Sequence, residues 1–344
     1  MPEPMGVNLT PVIARHRVDL EYFRGKTLAV DAAIELYQFL SIVRLRDGSQ
    51  LMDSHGHVTS HLSGIVFRTT RLIADFGIRP IFVFDGKPPD LKAAEIEKRR
   101  EARKQALAKY EKAKAAGDMA AAWSKAVMSS RLTREMVDDA KHLLSLLGIP
   151  FVQAPSEGEA QAALIVQRGQ AYTVAGKDYD SLLFGSPRLA RFVALQSREF
   201  LPSIGRYRVS PPEIIDLEEN LKALSLSRKQ LVEAAILVGT DFDEGVKGIG
   251  PKKAVEALKR YGSIESLPGA TRNQLPPNYD AIREYFLHPE IDENPVIEKG
   301  RMDVDAAIKF LCGERDFSEQ RVRKALERLA KTAPPARTLE SFLD

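Results

Sequence analysis

Short apolar runs that end in an acidic residue recur in this chain, and they constrain its fold more than any other feature. Residues 26–31 and 80–85 have the composition of β-strands and end at Asp31 and Asp85, with helical patterns at residues 32–46 and 60–76. From residue 134 the alternation resumes, with helices at 134–147 and 160–168 and strands at 149–152, 171–175 and 191–195. This alternation predicts an α/β fold with a mostly parallel central sheet flanked by helices.

Five short stretches of the chain carry seven acidic residues, and in at least three of them an apolar, β-rich run ends in an acid. The seven acids are Asp31, Asp85, Glu157, Glu159, Asp178, Asp180 and Asp241. Because ligand sites of parallel sheets form at the carboxyl ends of the strands, we expect these side chains to share one site. Clustered carboxylates repel one another, and hard divalent cations such as Mg²⁺ bind through oxygen ligands and would neutralise them. So many acids favour two ions, the arrangement used for in-line cleavage of phosphodiesters.

Each acid also has a plainer interpretation. Ser156 and Glu159 fit a capping box, and an aspartate after a strand is often a turn former or a helix N-cap. The Asp178–Asp180 pair could be a surface turn, and D-x-D also occurs in metal-dependent glycosyltransferases and phosphatases. The plainer interpretations would have to hold independently for all five stretches that carry the seven acids. The shared site is therefore the favoured interpretation.

Composition bounds the class of protein. The chain has 344 residues, 44% of them hydrophobic, which allows one large domain or two ordinary ones. No apolar run approaches the roughly 18 residues that span a bilayer, and the first residues lack a signal-peptide pattern, so we expect an intracellular protein. Cys312 is the only cysteine, which excludes internal disulfides, and its apolar setting predicts a buried side chain.

Basic residues are concentrated away from the seven acids. The net charge is only +3, yet residues 92–114 contain nine basic and four acidic residues. The stretch at 90–130 is helical in propensity but has few large apolar residues. One interpretation is a solvated charged helix; the other is a mobile helical element that stands over the acidic site and contacts phosphates.

A glycine-rich turn at residues 245–254 links two helical patterns. Small residues there allow backbone N–H groups to face a phosphate at a helix N-terminus, and Lys252 and Lys253 add positive charge. The pattern matches a helix-hairpin-helix contact with DNA. A P-loop is excluded because Pro251 occupies the lysine position, and a dinucleotide fingerprint because Lys253 occupies the third glycine position. A plain surface turn is the less favoured alternative.

Three histidines and an aspartate lie close together in DSHGHVTSH. They are Asp53, His55, His57 and His61. This spacing could indicate a zinc site, but no further His or Cys pattern supports it. A solvated loop is the favoured interpretation.

Taken together, these residues resemble the flap endonucleases of the structure-specific 5′ nuclease superfamily, and most closely the archaeal members. The stretches that carry the resemblance include AVDAAIELYQFL, VFDGKPPDLK, KHLLSLLGIPFVQAPSEGEAQAA, GTDFDEGVKGIGPKKA and LCGERDFSEQRV. They extend from residue 5 almost to the C-terminus. We expect a nuclease region at 1–103, a helical arch at 87–131, an internal nuclease region at 121–262 with a helix-hairpin-helix at 230–262, a helical part at 263–330 and a tail at 331–344.

The resemblance assigns roles to individual positions. It implies that the seven acids are metal ligands, some direct and some through water, for two Mg²⁺ ions that Mn²⁺ can replace. Lys92 and Arg99 would contact the scissile phosphate from the arch, and Tyr37 would stack on a base beside the cut. The implied DNA-binding set is Tyr37, Arg44, Lys92, Arg99, Gly245, Lys247, Gly248, Gly250, Lys252 and Lys253. In relatives a K⁺ ion assists the hairpin.

Two ends of the chain depart from the family pattern. Members begin at the equivalent of Met5-Gly6, so residues 1–4 are an extension or reflect a wrongly chosen start. The tail resembles a sliding-clamp-binding box, Q-x-x-L-x-x-F-F, through Leu339, Phe342 and Leu343, but Ala336 replaces the glutamine.

The resulting hypothesis is a monomeric enzyme that cuts DNA at 5′ flap junctions, with 5′-3′ exonuclease activity, in replication and repair. If the protein is archaeal, it acts in the cytoplasm at the nucleoid. Two alternatives stay open: a sibling nuclease that prefers bubbles, four-way junctions or RNA, and a non-catalytic protein that binds DNA junctions. The seven carboxylates argue against the second, because a pure binder of polyanions gains nothing from clustered acids.

Overall fold

A computed structural model describes residues 7–45, 48–116, 118, 121, 125–126, 129–193, 198–201, 206–209, 211–298 and 300–332. Residues 1–4 and the clamp-binding candidates Leu339, Phe342 and Leu343 lie outside this range. Within the described residues, no helix is both long enough and apolar enough to cross a membrane.

A mixed sheet forms the centre of the described structure. The strands are β1 (His16–Arg17), β2 (Thr27–Asp31), β3 (Arg79–Phe84), β4 (Phe151–Gln153), β5 (Thr173–Gly176), β6 (Arg188–Arg191), β7 (Arg198–Leu201), β8 (Arg206–Val209) and β9 (Glu213–Asp216). Seven of them form the sheet in the order β1-β9-β6-β5-β2-β3-β4, and β7 and β8 pair separately.

The connections of the central strand create a crevice. β2 pairs in parallel with β3 on one side and with β5 on the other, and β3–β4 and β5–β6 are also parallel. At one edge of the sheet, β9 pairs antiparallel with β6, and β1 pairs antiparallel with β9. The chain leaves β2 toward β3 and β4 and later returns to the opposite side, so a topological switch point lies beside β2. The prediction of a mostly parallel α/β sheet is confirmed.

Helices cover both faces of this sheet. The α-helices are α1 (Ala32–Ile42), α2 (Ser60–Gly64), α3 (Thr70–Phe76), α4 (Ala93–Ala115), α5 (Arg134–Leu146), α6 (Gly158–Gln167), α7 (Asp180–Leu183), α8 (Leu217–Leu224), α9 (Arg228–Val238), α10 (Pro251–Tyr261), α11 (Gly269–Arg272), α12 (Tyr279–Leu287), α13 (Val304–Ile308) and α14 (Glu319–Ala330). Short 3₁₀ turns occur at Leu20–Phe23, Asp90–Lys92 and Ile264–Ser266, and π-helical turns at Ile65–Thr69 and Lys309–Glu314.

Alternation along the strands separates two apolar layers. In β2, Leu28 and Val30 belong to the layer that packs against α1, α5 and α14, whereas Ala29 belongs to the layer under α6, α7 and α9. This is the two-residue period of a strand buried on both faces. Cys312 is only half-buried at the rim of the first layer, so the prediction of a buried thiol was too strong.

Local signals account for the ends of several elements. Thr133 caps α5 by accepting a hydrogen bond from the Met136 N–H, and Ser227 with Gln230 forms a capping box on α9. The strand predicted at 191–195 begins earlier, as β6 at Arg188–Arg191, and it ends there because Phe192 has a φ of 61°, outside the β region; residues 194 and 195 lie outside the described part of the chain. The first predicted helix stops at Ile42 rather than at residue 46.

Candidate active site

The carboxyl ends of the parallel strands deliver six of the seven acids to one edge of the sheet, and the end of α9 supplies the seventh. Asp31 is the last residue of β2, and Asp85 follows β3 directly. Glu157 and Glu159 lie at the start of α6 after β4, Asp178 and Asp180 follow β5, and Asp241 follows α9.

Two glycines bring the ends of β3 and α6 together. The Gly158 N–H donates a hydrogen bond of 2.7 Å to Asp85 Oδ1, and a Cβ at Gly158 would lie only 2.8 Å from that oxygen. A Cβ at Gly86 would lie 2.2 Å from the Pro155 carbonyl oxygen, so only glycine permits this approach. The close backbone contact fixes Asp85 beside the segment that carries Glu157.

Helix capping, the plainer interpretation of these acids, holds for Asp31 but not for Glu159. Asp31 Oδ1 accepts a hydrogen bond of 2.9 Å from the Ile34 N–H, so Asp31 does cap α1 as well as facing the site. The capping box expected at Ser156 and Glu159 is absent: Glu157 is the N-cap residue of α6 and its side chain makes no capping bond. Ser156 Oγ donates instead to the Lys87 carbonyl at 3.2 Å.

Burial and mutual repulsion raise the pKa of these carboxyls. Burial and Asp85 are the main causes for Asp31, and burial and Glu157 for Asp85. For Glu159 they are burial and Asp180, followed by Asp31 and Asp178. Burial also raises the pKa of Asp178 to about 6, and burial with Asp241 raises that of Asp180 to about 7. Acids from five segments therefore repel one another in one site, as the sequence predicts for a cation-binding cluster.

Two basic residues, one in the turn before α4 and one on α4, neutralise part of this charge. Lys92 Nζ lies 2.6 Å from Glu157 Oε2, and Arg99 Nη2 lies 2.7 Å from Asp241 Oδ2. Arg99 also pairs closely with Glu95, one turn earlier on α4. Burial alone would lower the pKa of Lys92, but Glu157, Asp180 and Asp241 outweigh it and the net pKa is raised. Both side chains therefore stay charged.

The donor set fits hard divalent cations. Every candidate ligand is a carboxylate, the ligand type that Mg²⁺ prefers. Glu159 Oε1 is buried and has no hydrogen-bond partner among the described residues, which leaves an acceptor for a cation. Within the same part of the chain, no three His, Cys, Asp or Glu side chains already stand close enough to hold one ion. Glu157 and Asp241 are turned toward Lys92 and Arg99 by their ion pairs, which is one physical reason why the acidic side chains do not close around a single point.

Residues that the sequence analysis overlooked support the site. The Val7 N–H donates to Asp180 Oδ1 at 3.3 Å, which brings the N-terminal segment to the acids. Arg191 donates to the Lys177 carbonyl at 2.8 Å and to the Tyr179 hydroxyl at 2.9 Å, and so grips both neighbours of Asp178. Tyr285, on α12, is also close to the acids. No local sequence pattern marks these positions, because each depends on a long-range contact.

One face of α4 packs toward the rest of the protein. Glu95, Arg99, Arg103 and Ala106 lie on it at helical spacing, while most other residues of α4 are exposed. The Arg103 guanidinium lies 5.7 Å from the ring centre of Tyr37, a half-buried residue of α1. Arg44 donates to the Gly48 carbonyl at 2.6 Å and to Ser130, so it links its own loop to the segment before α5.

The turn between α9 and α10 has an open, glycine-lined surface. Gly245 and Gly248 have φ values of 72° and 83°, and Gly250 is the N-cap residue of α10, with Pro251 at the first helical position. Added Cβ atoms at Gly248 and Gly250 would meet nothing within 4 Å. Lys247, Lys252 and Lys253 are exposed around this turn, and Lys253 Nζ donates to the Gly248 carbonyl at 2.9 Å. The exposed α10 N-terminus has the features of an anion site.

The histidine-rich segment is the predicted solvated loop at residues 54–56, which are exposed, but Asp53 and His61 are buried. Asp53 is buried and accepts hydrogen bonds from the His55 and His57 N–H groups and from the His57 ring. His61 is fully buried in α2, and burial lowers its pKa to about 4. The polar composition of the segment gives no sign of this burial, which depends on distant contacts. His57 lies beside Glu135 of α5, and the Ser54 N–H donates to Asp316.

Comparison with known proteins agrees with the fold. The XPG N-terminal domain model matches residues 5–106, and the XPG I-region model matches residues 148–241. These matches define the chain as a structure-specific nuclease, an enzyme that hydrolyses phosphodiester bonds. Flap endonuclease 1 of Archaeoglobus fulgidus is 49% identical over 98% of this chain and 100% of its own length. The corresponding protein of Thermococcus onnurineus is 47% identical over 98% and 99%.

Solved structures give the same result. The flap endonuclease-1 from Methanococcus jannaschii superposes with a TM-score of 0.74 and 37% identity, covering 95% of this chain and 98% of that one. The catalytic core of Rad2 in complex with a DNA substrate superposes with a TM-score of 0.66 and 26% identity, over 92% and 96%. The chain belongs to the flap endonuclease family, as its sequence predicts, and members of this family require metal ions.

Proposed function

We propose that this protein cuts DNA where a 5′ flap leaves the duplex, and that it also removes nucleotides in the 5′-3′ direction at nicks or gaps during replication and repair. The observation that carries the proposal is the convergence of the seven carboxylates at the switch point beside β2, with Lys92 and Arg99 of the arch ion-paired to two of them. A buried acidic edge next to a basic helix suits the binding of a phosphodiester against cations.

The metal ligands we propose are Asp31, Asp85, Glu157, Glu159, Asp178, Asp180 and Asp241, for two Mg²⁺ ions that Mn²⁺ can replace. The chemistry that such a cation pair supplies is activation of the attacking water and stabilisation of transition-state charge. Asp85 and Asp180 are oriented for this role by the Gly158 and Val7 N–H groups. Lys92 and Arg99, released from their carboxylate partners, would hold the scissile phosphate and add electrostatic stabilisation.

The duplex contacts we propose lie on two surfaces. Tyr37, beside Arg103, would stack on a base next to the cut, and Arg44 would support the adjoining loop against DNA. The turn of Gly245, Lys247, Gly248 and Gly250, with Lys252 and Lys253, would bind the backbone of the downstream duplex, assisted by K⁺.

The tail carries the proposed partner interaction. Leu339, Phe342 and Leu343 would bind a sliding clamp, while the protein itself acts as a monomer in the cytoplasm at the nucleoid. Deletion of residues 333–344 is expected to leave cleavage of free flap DNA unchanged and to abolish its stimulation by the clamp. Stimulation that survives the deletion would place the clamp contact elsewhere.

Cleavage of matched labelled substrates tests the proposal. Flap, bubble and four-way DNA of the same sequence, with and without Mg²⁺, should show Mg²⁺-dependent incision that is fastest on the flap. Faster incision of bubbles or four-way junctions would assign the protein to a sibling specificity. Asp178→Ala should abolish incision while flap affinity stays within about tenfold, because binding depends mainly on phosphate contacts.

A further inference from the structure

Tyr285 stands at the junction of two segments that carry site acids. Its ring centre lies 4.9 Å from that of Phe242, which follows Asp241, and 5.5 Å from that of Phe184, which follows α7. Phe286 completes the cluster at 5.1 Å. Edge-to-face packing on these sides holds the Tyr285 ring in one orientation.

The helix that carries Tyr285 is fixed from its other side. Arg283, two residues earlier on α12, donates to the buried Glu233 of α9 at 2.9 Å and to Glu265 at 2.5 Å. This ion-pair network ties α12 to the first helix of the hairpin. The position of Tyr285 is therefore set by contacts on both sides of α12.

The Tyr285 hydroxyl is buried and lies beside Glu157 without completing a hydrogen bond to it. Its oxygen has no partner in hydrogen-bond geometry among the described residues. Burial raises the pKa of Tyr285, and so do the charges of Glu157, Asp180 and Glu159, in that order, and Glu157 as a nearby acceptor, so the hydroxyl keeps its proton. An unsatisfied buried hydroxyl costs free energy, and this one faces carboxylates that can accept its proton in a hydrogen bond.

We propose that Tyr285 is a positioning residue of the metal site, and that its hydroxyl donates a hydrogen bond to Glu157 when Lys92 leaves that carboxylate. The inference rests on the proposed function only in assuming that Lys92 moves to a phosphate. Lys92 is the donor that the structure shows on Glu157, at 2.6 Å. A neutral phenol can replace it without adding a positive charge that would compete with a cation. Hydrogen bonds of this kind orient metal-ligating carboxylates.

Tyr285→Phe tests the inference because it removes one oxygen and keeps the ring. Binding of Mn²⁺ to the DNA-free protein, measured by calorimetry, provides a readout that does not depend on activity. We expect a small loss of affinity in the wild-type background, where Lys92 still holds Glu157. In a Lys92→Ala background the same change should cost roughly tenfold or more, because Glu157 then has neither donor.

Two controls separate this role from a structural one. Tyr279→Phe, on the same helix, should leave Mn²⁺ affinity unchanged in both backgrounds. The metal-free melting temperature of Tyr285→Phe should be equal to or above that of the wild type, because an unsatisfied buried group has been removed. A lower melting temperature with unchanged Mn²⁺ binding would make Tyr285 a packing residue and overturn the inference.

The loss of Mn²⁺ affinity on Tyr285→Phe, compared between the wild-type and Lys92→Ala backgrounds, is the decisive measurement. Equal losses with and without Lys92 would show that the hydroxyl does not serve Glu157. Failure of flap cleavage by the wild-type protein would overturn the proposed function, but it would leave the Mn²⁺ measurements, made without DNA, unaffected.

Discussion

At the scale of single residues, the site is held in an electrostatic balance. Seven carboxylates face one crevice, and two cationic side chains neutralise Glu157 and Asp241 directly. The pKa values of Asp31, Asp85, Glu159, Asp178 and Asp180 are raised, because burial and neighbouring acids outweigh the effect of nearby cationic groups. The same two cationic groups are therefore available to a substrate once other cations take their place.

Replacement of either cationic group tests this exchange. Lys92→Ala and Arg99→Ala should each slow single-turnover flap cleavage by about 100-fold or more, the scale of losing one preorganised electrostatic group, with little change in affinity. Arg100→Ala is the matched control, because Arg100 lies on the outer face of α4 with 79% of its side chain exposed. It should change neither quantity. If affinity fell steeply and the rate of bound substrate held, both residues would be simple phosphate anchors.

At the scale of elements, the α9–α10 hairpin is preformed. Its turn is closed by hydrogen bonds from the Val246 N–H to the Leu237 carbonyl and from the Ile249 N–H to the Val246 carbonyl, at 2.9 and 3.0 Å. Buried Val246 anchors the turn, while Gly248 and Gly250 remain open. Little rearrangement is therefore needed before it meets a duplex.

A pair of glycines on this hairpin allows a controlled test. Gly248 and Gly262 have nearly the same φ, 83° and 84°, and both face open space, but only Gly248 lies in the turn. Alanine at either position should cost similar stability, about 1 kcal/mol, for the left-handed backbone. Only Gly248→Ala should weaken binding to flap DNA, because its methyl group occupies the approach of a phosphate.

The same experiment includes single-stranded DNA as a second ligand. Affinity for flap DNA should fall far more than affinity for single strands in Gly248→Ala, Lys252→Ala and Lys253→Ala. Each lysine change should also reduce the slope of log affinity against log salt concentration by about one. Equal losses on both ligands in KCl titrations would show that the hairpin is not a duplex contact.

The elements also show how much the sequence could predict. The strand that ends at Asp31, the strand that Asp85 follows and the turn between α9 and α10 follow local patterns, because each depends on a few neighbouring residues and on the geometry of parallel sheets. The predicted strand at 191–195 was placed too late, because no local pattern marks the left-handed conformation of Phe192, which directly follows the end of β6 at Arg191. The burial of Asp53 and His61, and the approach of Tyr285 to the acids, are long-range contacts that no local periodicity records.

At the scale of the whole molecule, stability is linked to the protonation of the site. Asp178 and Asp180 have folded-state pKa values of about 6 and about 7, above the ordinary range. Folding thus favours their protonated forms, and the stability this contributes is fully present below about pH 4 and is lost as the pH rises through about 6 to 7. Cations that bind only the folded state should restore that stability.

Thermal unfolding checks this link. Asp178→Asn and Asp180→Asn, which cannot ionise, should each stabilise the metal-free protein relative to wild type, and the gain should increase between about pH 5 and about pH 8. Comparison with wild type cancels the opposite contribution of His61, whose lowered pKa adds stability as the pH rises. Mg²⁺ should raise the wild-type melting temperature more than that of either variant. A difference that does not change with pH would contradict the link.

The acids of the crevice come from segments spread across most of the chain, from Asp31 in β2 to Asp241 after α9, with the supporting Tyr285 later still. A growing chain on the ribosome therefore has no complete site until α12 has emerged and the two halves of the sheet have joined. Contacts between such distant segments close late in folding. A nascent chain that has not reached Asp241 and α12 therefore lacks part of the site, so the architecture ties the DNA-cutting activity to synthesis of most of the chain.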